Sequence, residues 1–377
     1  MKPIQMVDTQ TQYQQIKNEI DFAIKEVIDS SAFINGKIVQ EFVINLARFL
    51  DVKHVIPCAN GTDALQVAMM AVGLEPGDEV ITPSFTYIAT TEVIALLRLT
   101  PVFVEVDPQT FCIDPSAVRS AITPKTKAIV PVHLYGQSAN MEEIMTIAKE
   151  FNLYVIEDNA QAIGAEYIFS NGRKKKTGTI GTIGTTSFYP SKNLAAFGDG
   201  GALYTNEDDV AARLKMIVNH GQSKRYYHDL VGCNSRLDSI QAAVLNEKLK
   251  HLDQYTQARV QAANFYDKAF GECPKIKIPY RAPYSTHVFH QYTLILENVD
   301  RNDLHKFLAE EKIPSMIYYP VPAHRQKMFS HFHTESLHMP VTDWLTERVI
   351  SIPMHTELDE EQLNYIAYKV LQFVNGQ

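Results

Sequence analysis

Residues 153–165 read LYVIEDNAQAIGA: an apolar, β-favouring run that stops abruptly at Glu157 and Asp158 and is followed by Gln161. A run this continuous fits a strand buried on both faces of a parallel sheet. In open α/β sheets ligands bind outside the carboxyl ends of the strands, so Asp158 stands where a functional group would. Taken alone, a loop carboxylate or a helix cap accounts for it equally well. Working outward, four more runs of the same kind precede it: HVIPCA from His54, EVITP from Glu79, PVFVEV from Pro101 and KAIVPVH from Lys127. Between them TDALQVAMMAV, IATTEVIALL, PSAVRSAI and MEEIMTIAKEF space apolar residues by three and four, as helices packed on a sheet require. The stretch from His54 to about Asn206 is therefore expected to be an α/β domain around a largely parallel sheet.

Beyond ALYTN (residues 202–206) the pattern changes. Asp208 to Asn219 reads as a helix, and Leu237 to Phe270 as one long helical stretch bridging two domains, with Leu237, Ile240, Val244, Leu249 and Leu252 along one stripe. Strands near HQYTLIL (290–296) and SMIYYPV (315–321), and helices near Asn302–Glu311 and Asp359–Val374, make a small α/β unit. The boundary is expected near residue 250, giving a large domain over 1–250, N-terminal segment included, and a small one over 251–377. The total of 377 residues suits two such units.

Composition removes several classes of function. Lys and Arg number 35 against 43 Asp and Glu, a net charge of −8 that repels a nucleic-acid backbone over most of the surface. The four cysteines, Cys58, Cys112, Cys233 and Cys273, show no C-x-x-C spacing, which argues against a disulfide framework or zinc site and for a reducing cytoplasm. Apolar stretches such as IVPVHLY and VIALLRL fall well short of the ~18 residues of a membrane helix. No metal is expected: His331, His333, Glu335 and His338 lie in a polar connector without helical H-x-x-x-H spacing. GTIGTIG (178–184) lacks the G-x-G-x-x-G spacing of a dinucleotide turn.

Two further stretches can carry chemistry. In CANGTDAL (58–65) Gly61 and Thr62 follow a strand and open a helix, whose free N–H groups and about +0.5 charge of macrodipole suit a phosphate. In TTSFYPSKNLAAFGDGGALYTN (185–206) Lys192 lies in an apolar, glycine-rich setting, where full desolvation can lower a lysine by ~3–5 pKa units and make it a Schiff-base nucleophile. Ser187 could add a hydroxyl to an anion site. If Asp158 met the nitrogen of a pyridine ring, an ion pair at ~4 Å and effective dielectric ~20 would contribute about 4 kcal/mol and keep the ring protonated. A capped turn, a loop carboxylate and a snorkelling lysine explain each element singly. A phosphate turn, a strand-end Asp and an apolar-set Lys, in that order, are what a pyridoxal phosphate site needs.

With NGTDAL, PSFTYIAT (83–90), EDNAQAIGA, SFYPSKNLAAFGDGGA, GCNSRLDSIQAAVL (232–245), IYYPVPAH (317–324) and SIPMH (351–355), the chain resembles the DegT/DnrJ/EryC1/StrS family of nucleotide-sugar aminotransferases over nearly its whole length. The resemblance implies the aspartate-aminotransferase fold (pyridoxal phosphate fold type I). That fold has a large domain with a mostly parallel seven-stranded sheet, a smaller C-terminal domain, and a homodimer with active sites at the subunit interface. By matching motif, Lys192 would bind pyridoxal 5'-phosphate covalently, Asp158 would pair with the pyridine nitrogen, and Gln161 would contact the ring hydroxyl. Gly61, Thr62 and Ser187 would hold the phosphate, Tyr87 would stack on the ring, and Asn234 would reach across the dimer to the partner's cofactor phosphate. Substrate contacts are expected from Tyr318, Tyr319 and His324. L-Glutamate would be the amino donor, and a keto sugar on a nucleoside diphosphate the acceptor. HGQSKRYYHDLVGCNSRLDSIQAA resembles most the branch acting on 3-keto UDP-N-acetylhexuronates, for which Arg236, or else Arg225, would grip the uronate; an ion pair of Arg236 with Asp238 is the structural alternative. Thr182 replaces an acid usual in the family, and some relatives carry His at the position of Tyr318. A 4-keto aminotransferase or a sugar dehydratase on the same scaffold, and a non-catalytic regulatory protein, are the competing functions.

Overall fold

The computed structural model describes residues 2–376. The chain opens with three helices, α1 (Thr9–Gln15), α2 (Lys17–Ser30) and α3 (Lys37–Leu50). On α3 the three- and four-residue spacing of Val39, Phe42, Leu46 and Leu50 makes one buried stripe. Strands and helices then alternate: β1 (His54–Cys58), α4 (Gly61–Ala71), β2 (Glu79–Pro83), α5 (Ala89–Leu96), β3 (Thr100–Val104), α6 (Pro115–Ala121), β4 (Thr126–Ile129), α7 (Met141–Phe151) and β5 (Tyr154–Asp158). A two-stranded ribbon, β6 (Glu166–Ile168) with β7 (Lys174–Lys176), is followed by β8 (Ile183–Ser187), β9 (Gly201–Thr205) and α8 (Asp208–Ile217).

The main sheet has seven strands in the order β1-β9-β8-β5-β4-β2-β3. Only β9 runs against its neighbours, pairing antiparallel with β1 and β8. Neighbouring residues of β5 serve opposite faces, as the two-residue strand period demands. Ile156 joins α4 residues Ala64, Val67 and Ala68 on one side, and Val155 joins Val118 of α6 and Ile144 and Ile147 of α7 on the other. The carboxyl ends of the parallel strands thus open onto one edge of a sheet covered on both faces.

A second ribbon, β10 (Gln222–Lys224) with β11 (Tyr227–His228), precedes α9 (Ser239–Leu249) and α10 (Leu252–Phe270). The single long helix expected over 237–270 is therefore two. Lys250 and His251 donate to the carbonyls of Glu247 and Lys248, three residues back, and this tightened turn redirects the chain. The C-terminal layer is a three-stranded antiparallel sheet, β12 (Ile276–Lys277), β13 (Tyr292–Leu296) and β14 (Val349–Ile352), with α11 (Arg301–Glu310), α12 (Pro340–Arg348) and α13 (Glu360–Asn375). Its core gathers Tyr266, Phe270, Tyr292, Leu294, Leu304, Ile350, Ile366 and Val370. Asp359 and Gln362 close a reciprocal capping box at the start of α13.

The strand expected at SMIYYPV does not form. Only Met316 bridges to β14, exchanging hydrogen bonds with Ser351 at 2.9 and 2.7 Å. Pro314 and Pro320 have no N–H for a ladder, and Tyr318 and Tyr319 turn into the aromatic cluster around Phe85, Phe111 and Tyr135 instead. Among the described residues no helix is long and apolar enough to cross a membrane, and no three His, Cys, Asp or Glu side chains gather as metal ligands.

Candidate active site

At the carboxyl edge of the main sheet lies a cleft of about 610 Å³. One end is the start of α4. Asn60 caps that helix by accepting the Asp63 N–H at 2.8 Å, and its carbonyl takes the Ala64 N–H. The N–H groups of Gly61 and Thr62, which no helical carbonyl can reach, are left at the cleft wall. The end of β8 packs directly on this turn: a Cβ on Gly61 would lie 2.6 Å from Cβ of Ser187. Only glycine lets the strand pack Ser187 against the helix terminus, where Thr62 lines the same cleft. Two hydroxyls, free N–H groups and the positive end of the helix dipole are what a phosphate cradle needs.

Asp158, 5% exposed, closes another side of the cleft at the end of β5. One carboxylate oxygen accepts from the Thr90 hydroxyl at 2.7 Å and the other from the Ala160 N–H at 3.1 Å. The strand end itself is pinned by its neighbour Glu157, which is fully buried. Glu157 accepts backbone N–H groups from Gly178 and Ile180 at 2.7 Å and Gly181 at 2.5 Å, and meets His133 Nε2 at 2.8 Å. GTIGTIG thus serves as a nest of donors for a carboxylate. Thr182 accepts the Val155 N–H through its hydroxyl at 3.2 Å, so the position where relatives carry an acid still ties β5 to β8.

Lys192 sits in a turn between β8 and β9, its N–H bonded to the Tyr189 carbonyl, and its side chain lines the cleft. Desolvation by the surrounding protein lowers its ammonium to about 8, against a smaller opposing pull from the Asp158 charge. Gln161 is held in place from both ends: its carbonyl oxygen accepts the Tyr135 N–H at 2.8 Å and its amide donates to the Tyr319 hydroxyl at 3.1 Å. Tyr87, 56% exposed, projects at the mouth with its ring centroid 6.1 Å from that of Tyr319.

The structure thus brings Gly61, Thr62, Tyr87, Asp158, Gln161, Ser187, Lys192, Tyr318 and Tyr319 into one cleft. Four expected residues stand apart from it. His324 is wholly buried and outside the cleft lining, with Nδ1 2.7 Å from the Ser84 hydroxyl, and its ring braces Ser84, one residue before Phe85. Asn234 is exposed on the segment after β11, paired across a single bridge with Asn219. Arg236 donates to Asn219 at 3.4 Å and lines a separate groove with Val39, Val43 and Ile44 of α3; Arg225 lies exposed against the Tyr226 ring. Thr90, Glu157, His133 and His290 were not assigned roles from the sequence. Thr90 and Glu157 lie inside motifs quoted above, and only a count of buried carboxylate partners would have singled them out. His290 carried no local signal.

The residues present fit a pyridoxal phosphate: a cradle that a Cβ would fill, a desolvated lysine, and a fixed carboxylate. The pattern of the DegT/DnrJ/EryC1/StrS aminotransferase family matches residues 14–371. The chain belongs to that family. It is 45% identical, over 98% of this chain and 98% of the relative, to a pleiotropic regulatory protein of Geobacillus stearothermophilus. It is 41% identical to the UDP-2-acetamido-2-deoxy-3-oxo-D-glucuronate aminotransferase of Pseudomonas aeruginosa, over 96% and 98%. It is 42% identical to the UDP-N-acetyl-3-dehydro-alpha-D-glucosamine 3-aminotransferase of Acidithiobacillus ferrooxidans, over 99% and 98%. Among solved structures, DesV of S. venezuelae in complex with a ketimine intermediate superposes with a TM-score of 0.94, at 35% identity over 99% of each chain. This DegT/DnrJ/EryC1/StrS member is a pyridoxal phosphate-dependent aminotransferase of nucleotide sugars, with the fold type I architecture that the motifs implied.

Proposed function

We propose that the enzyme moves an amino group from L-glutamate to the 3-keto group of a UDP-linked N-acetylhexuronate, acting in the cytoplasm as a homodimer with shared active sites. One observation carries the chemistry. A single cleft holds a helix-terminus phosphate cradle, a buried carboxylate oriented by Thr90, and a lysine whose ammonium is lowered to about 8.

The bound cofactor supplies an electron sink for the donor's α-carbon. Gly61, Thr62 and Ser187 hold its phosphate. Asp158 keeps a proton on the ring nitrogen, with about 4 kcal/mol available from an ion pair at ~4 Å and effective dielectric ~20. Gln161 and Tyr87 orient the ring. Lys192 Nζ would take the proton from the donor's α-carbon and hold it for return, and would do the reverse for the keto sugar. A pKa of about 8 suits an amine that both takes and returns a proton near neutral pH.

Two relatives, from Pseudomonas aeruginosa and Acidithiobacillus ferrooxidans, bear names that specify 3-keto UDP-N-acetyl sugars, which supports the acceptor. The cleft lining contains Lys192 and no arginine, so cations for a uronate and a diphosphate must come from outside this wall. A second subunit bringing Asn234, and Arg236 or Arg225, to the cleft meets that need. Exposed Phe22, Ile34, Ile44 and Val231 offer apolar surface for such a contact. The regulatory name borne by the Geobacillus relative is the competing reading. Intact Lys192 and Asp158 weigh against it.

The test is the absorption spectrum of the purified protein with pyridoxal phosphate, before and after L-glutamate, followed by mass spectrometry with UDP-3-keto and dTDP-4-keto sugars. A Lys192-dependent band that glutamate converts to the pyridoxamine form, and amination of the UDP-3-keto uronate, are expected. Turnover of 4-keto sugars alone would overturn the acceptor, and a band unmoved by any amino donor would overturn the reaction. Asp158→Asn should lose most turnover and stay folded.

A further inference from the structure

We propose that Gln241 is a positioning residue for Lys192: from the first turn of α9, its amide holds the outgoing limb of the turn that carries the lysine. The proposal rests on the reading of Lys192 as the proton carrier.

The turn is closed by the chain itself. Lys192 donates its N–H to the Tyr189 carbonyl and Ala196 to the Phe188 carbonyl, both at 2.8 Å, and Phe188 donates to the Gly200 carbonyl at 2.8 Å. Asn193 Nδ2 fastens the near side by donating to the Val288 carbonyl at 3.0 Å. These bonds shape the turn, but none of them ties its far side to the rest of the domain. After Ala196 the chain runs Phe197, Gly198, Asp199, Gly200, Gly201, and three glycines in five residues bring little side-chain packing of their own.

Gln241, half-buried, supplies the hold. Its Oε1 accepts the Phe197 N–H at 2.8 Å and its Nε2 donates to the Phe197 carbonyl at 3.4 Å. One side-chain amide thus exchanges hydrogen bonds with both backbone groups of a single residue, as a paired antiparallel strand would. The fit is close: a Cβ on Gly198 would stand 3.1 Å from that Nε2. The Phe197 ring is gripped from the same helix. Lys248, two helical turns further along α9, places its ammonium 4.8 Å from the ring centroid, and Tyr13 of α1 meets the ring edge to face at 5.7 Å.

The helix that does this is itself fixed. Ser239, at its start, donates its N–H to the Phe33 carbonyl at 2.9 Å and accepts the Gly36 N–H through its hydroxyl at 3.2 Å. Ala242 and Leu245 are buried in one cluster with Phe188, Leu194 and Ala196 of the turn, while Lys192 lines the cleft. A proton carrier must return to the same point after each release, and a misplacement of ~1 Å can cost roughly 100-fold in rate. Fastening the turn to a packed helix provides that point.

The experiment compares the wild type with Gln241→Met and Gln241→Glu. Methionine keeps the reach and helix propensity of glutamine and removes both hydrogen bonds; glutamate keeps the acceptor of the shorter one. In the pyridoxal phosphate-loaded enzymes mixed rapidly with L-glutamate, Gln241→Met should slow the proton-transfer step about tenfold with KM within about twofold, and Gln241→Glu should recover most of the rate. A merely structural role would lower the melting temperature and leave the rate constant per folded molecule unchanged. A second readout needs no cofactor. Hydrogen exchange at the Phe197 N–H, followed by mass spectrometry in the cofactor-free proteins, should be protected in the wild type and accelerate roughly 2- to 12-fold in Gln241→Met. A wild-type rate in folded Gln241→Met, no recovery in Gln241→Glu, or an unprotected Phe197 N–H in the wild type would each overturn the assignment. Failure of the wild type to react with any amino donor would overturn the aminotransferase reading instead, and the exchange measurement would still decide whether Gln241 holds the turn.

Discussion

Gly61→Ala isolates the phosphate cradle from the rest of the cleft. The new Cβ would meet Ser187 at 2.6 Å to Cβ and 3.2 Å to both Cα and Oγ. Ordinary carbon contacts lie near 3.5–4.0 Å, so strand and helix must part by about 1 Å. Neither yields freely: Ser187 pairs with Gly201 in β8–β9, and α4 is anchored by Ala64, Leu65 and Ala68. Overpacking costs about 1–3 kcal/mol, and Gly to Ala at a helical position returns up to about 1 kcal/mol, leaving a stability loss of about 0–3 kcal/mol. The larger effect falls on the cofactor. Moving Ser187 away removes one hydrogen bond to a charged group, about 1.5–3 kcal/mol, or roughly a 10- to 150-fold rise in the Kd for pyridoxal phosphate. Equilibrium dialysis measures the affinity, and thermal melting of the cofactor-free protein separates it from unfolding. Wild-type affinity in a folded Gly61→Ala protein would refute the cradle.

Two further outcomes follow from the same geometry. Covalent capture of pyridoxal phosphate needs the free amine of Lys192, so its rate in the cofactor-free protein should climb with pH and level off above about 8. The sign for stability agrees: the unfolded lysine keeps its proton up to about 10.4, so between pH 8 and 10 the unfolded state binds more protons and the melting advantage of wild type over Lys192→Ala should grow; a flat difference would place the amine in solvent. Glu157→Gln replaces a buried acceptor of three backbone N–H groups and a His133 contact by an amide whose own hydrogens face those donors. Breaking such a cluster should cost about 3–5 kcal/mol in denaturant unfolding, and a loss below about 1 kcal/mol would show that the nest is not what holds the end of β5.

Reading the chain from Leu153 outward recovers most of the large domain because its strands are buried on both faces and its helices repeat on a 3.6-residue period. Both are local patterns. The readings that failed concern places where local preference competes with distant packing. A continuous apolar stripe over 237–270 says nothing of the tightened turn at Lys250–His251, and SMIYYPV has β-prone residues whose ladder is denied by prolines and by the pull of Phe85 and Tyr135. The α1–α3 segment and α12 went unmarked.

The same division runs through the site. By itself the sequence determined which residues have the chemistry: Gly61 and Thr62 opening a helix, Asp158 ending a strand, Lys192 among apolar neighbours. These depend on what each residue is and on what precedes and follows it. Only the tertiary structure decided that Thr90 orients Asp158, that GTIGTIG feeds its N–H groups to Glu157, that Asn193 meets His290, and that His324 lies outside the cleft. Those contacts join residues 21 to 97 positions apart along the chain, apart from the longer reach of His324 to Ser84, and no periodicity encodes them. They arise because burial forces each polar atom to find a partner, and only the folded chain determines which partner is within reach.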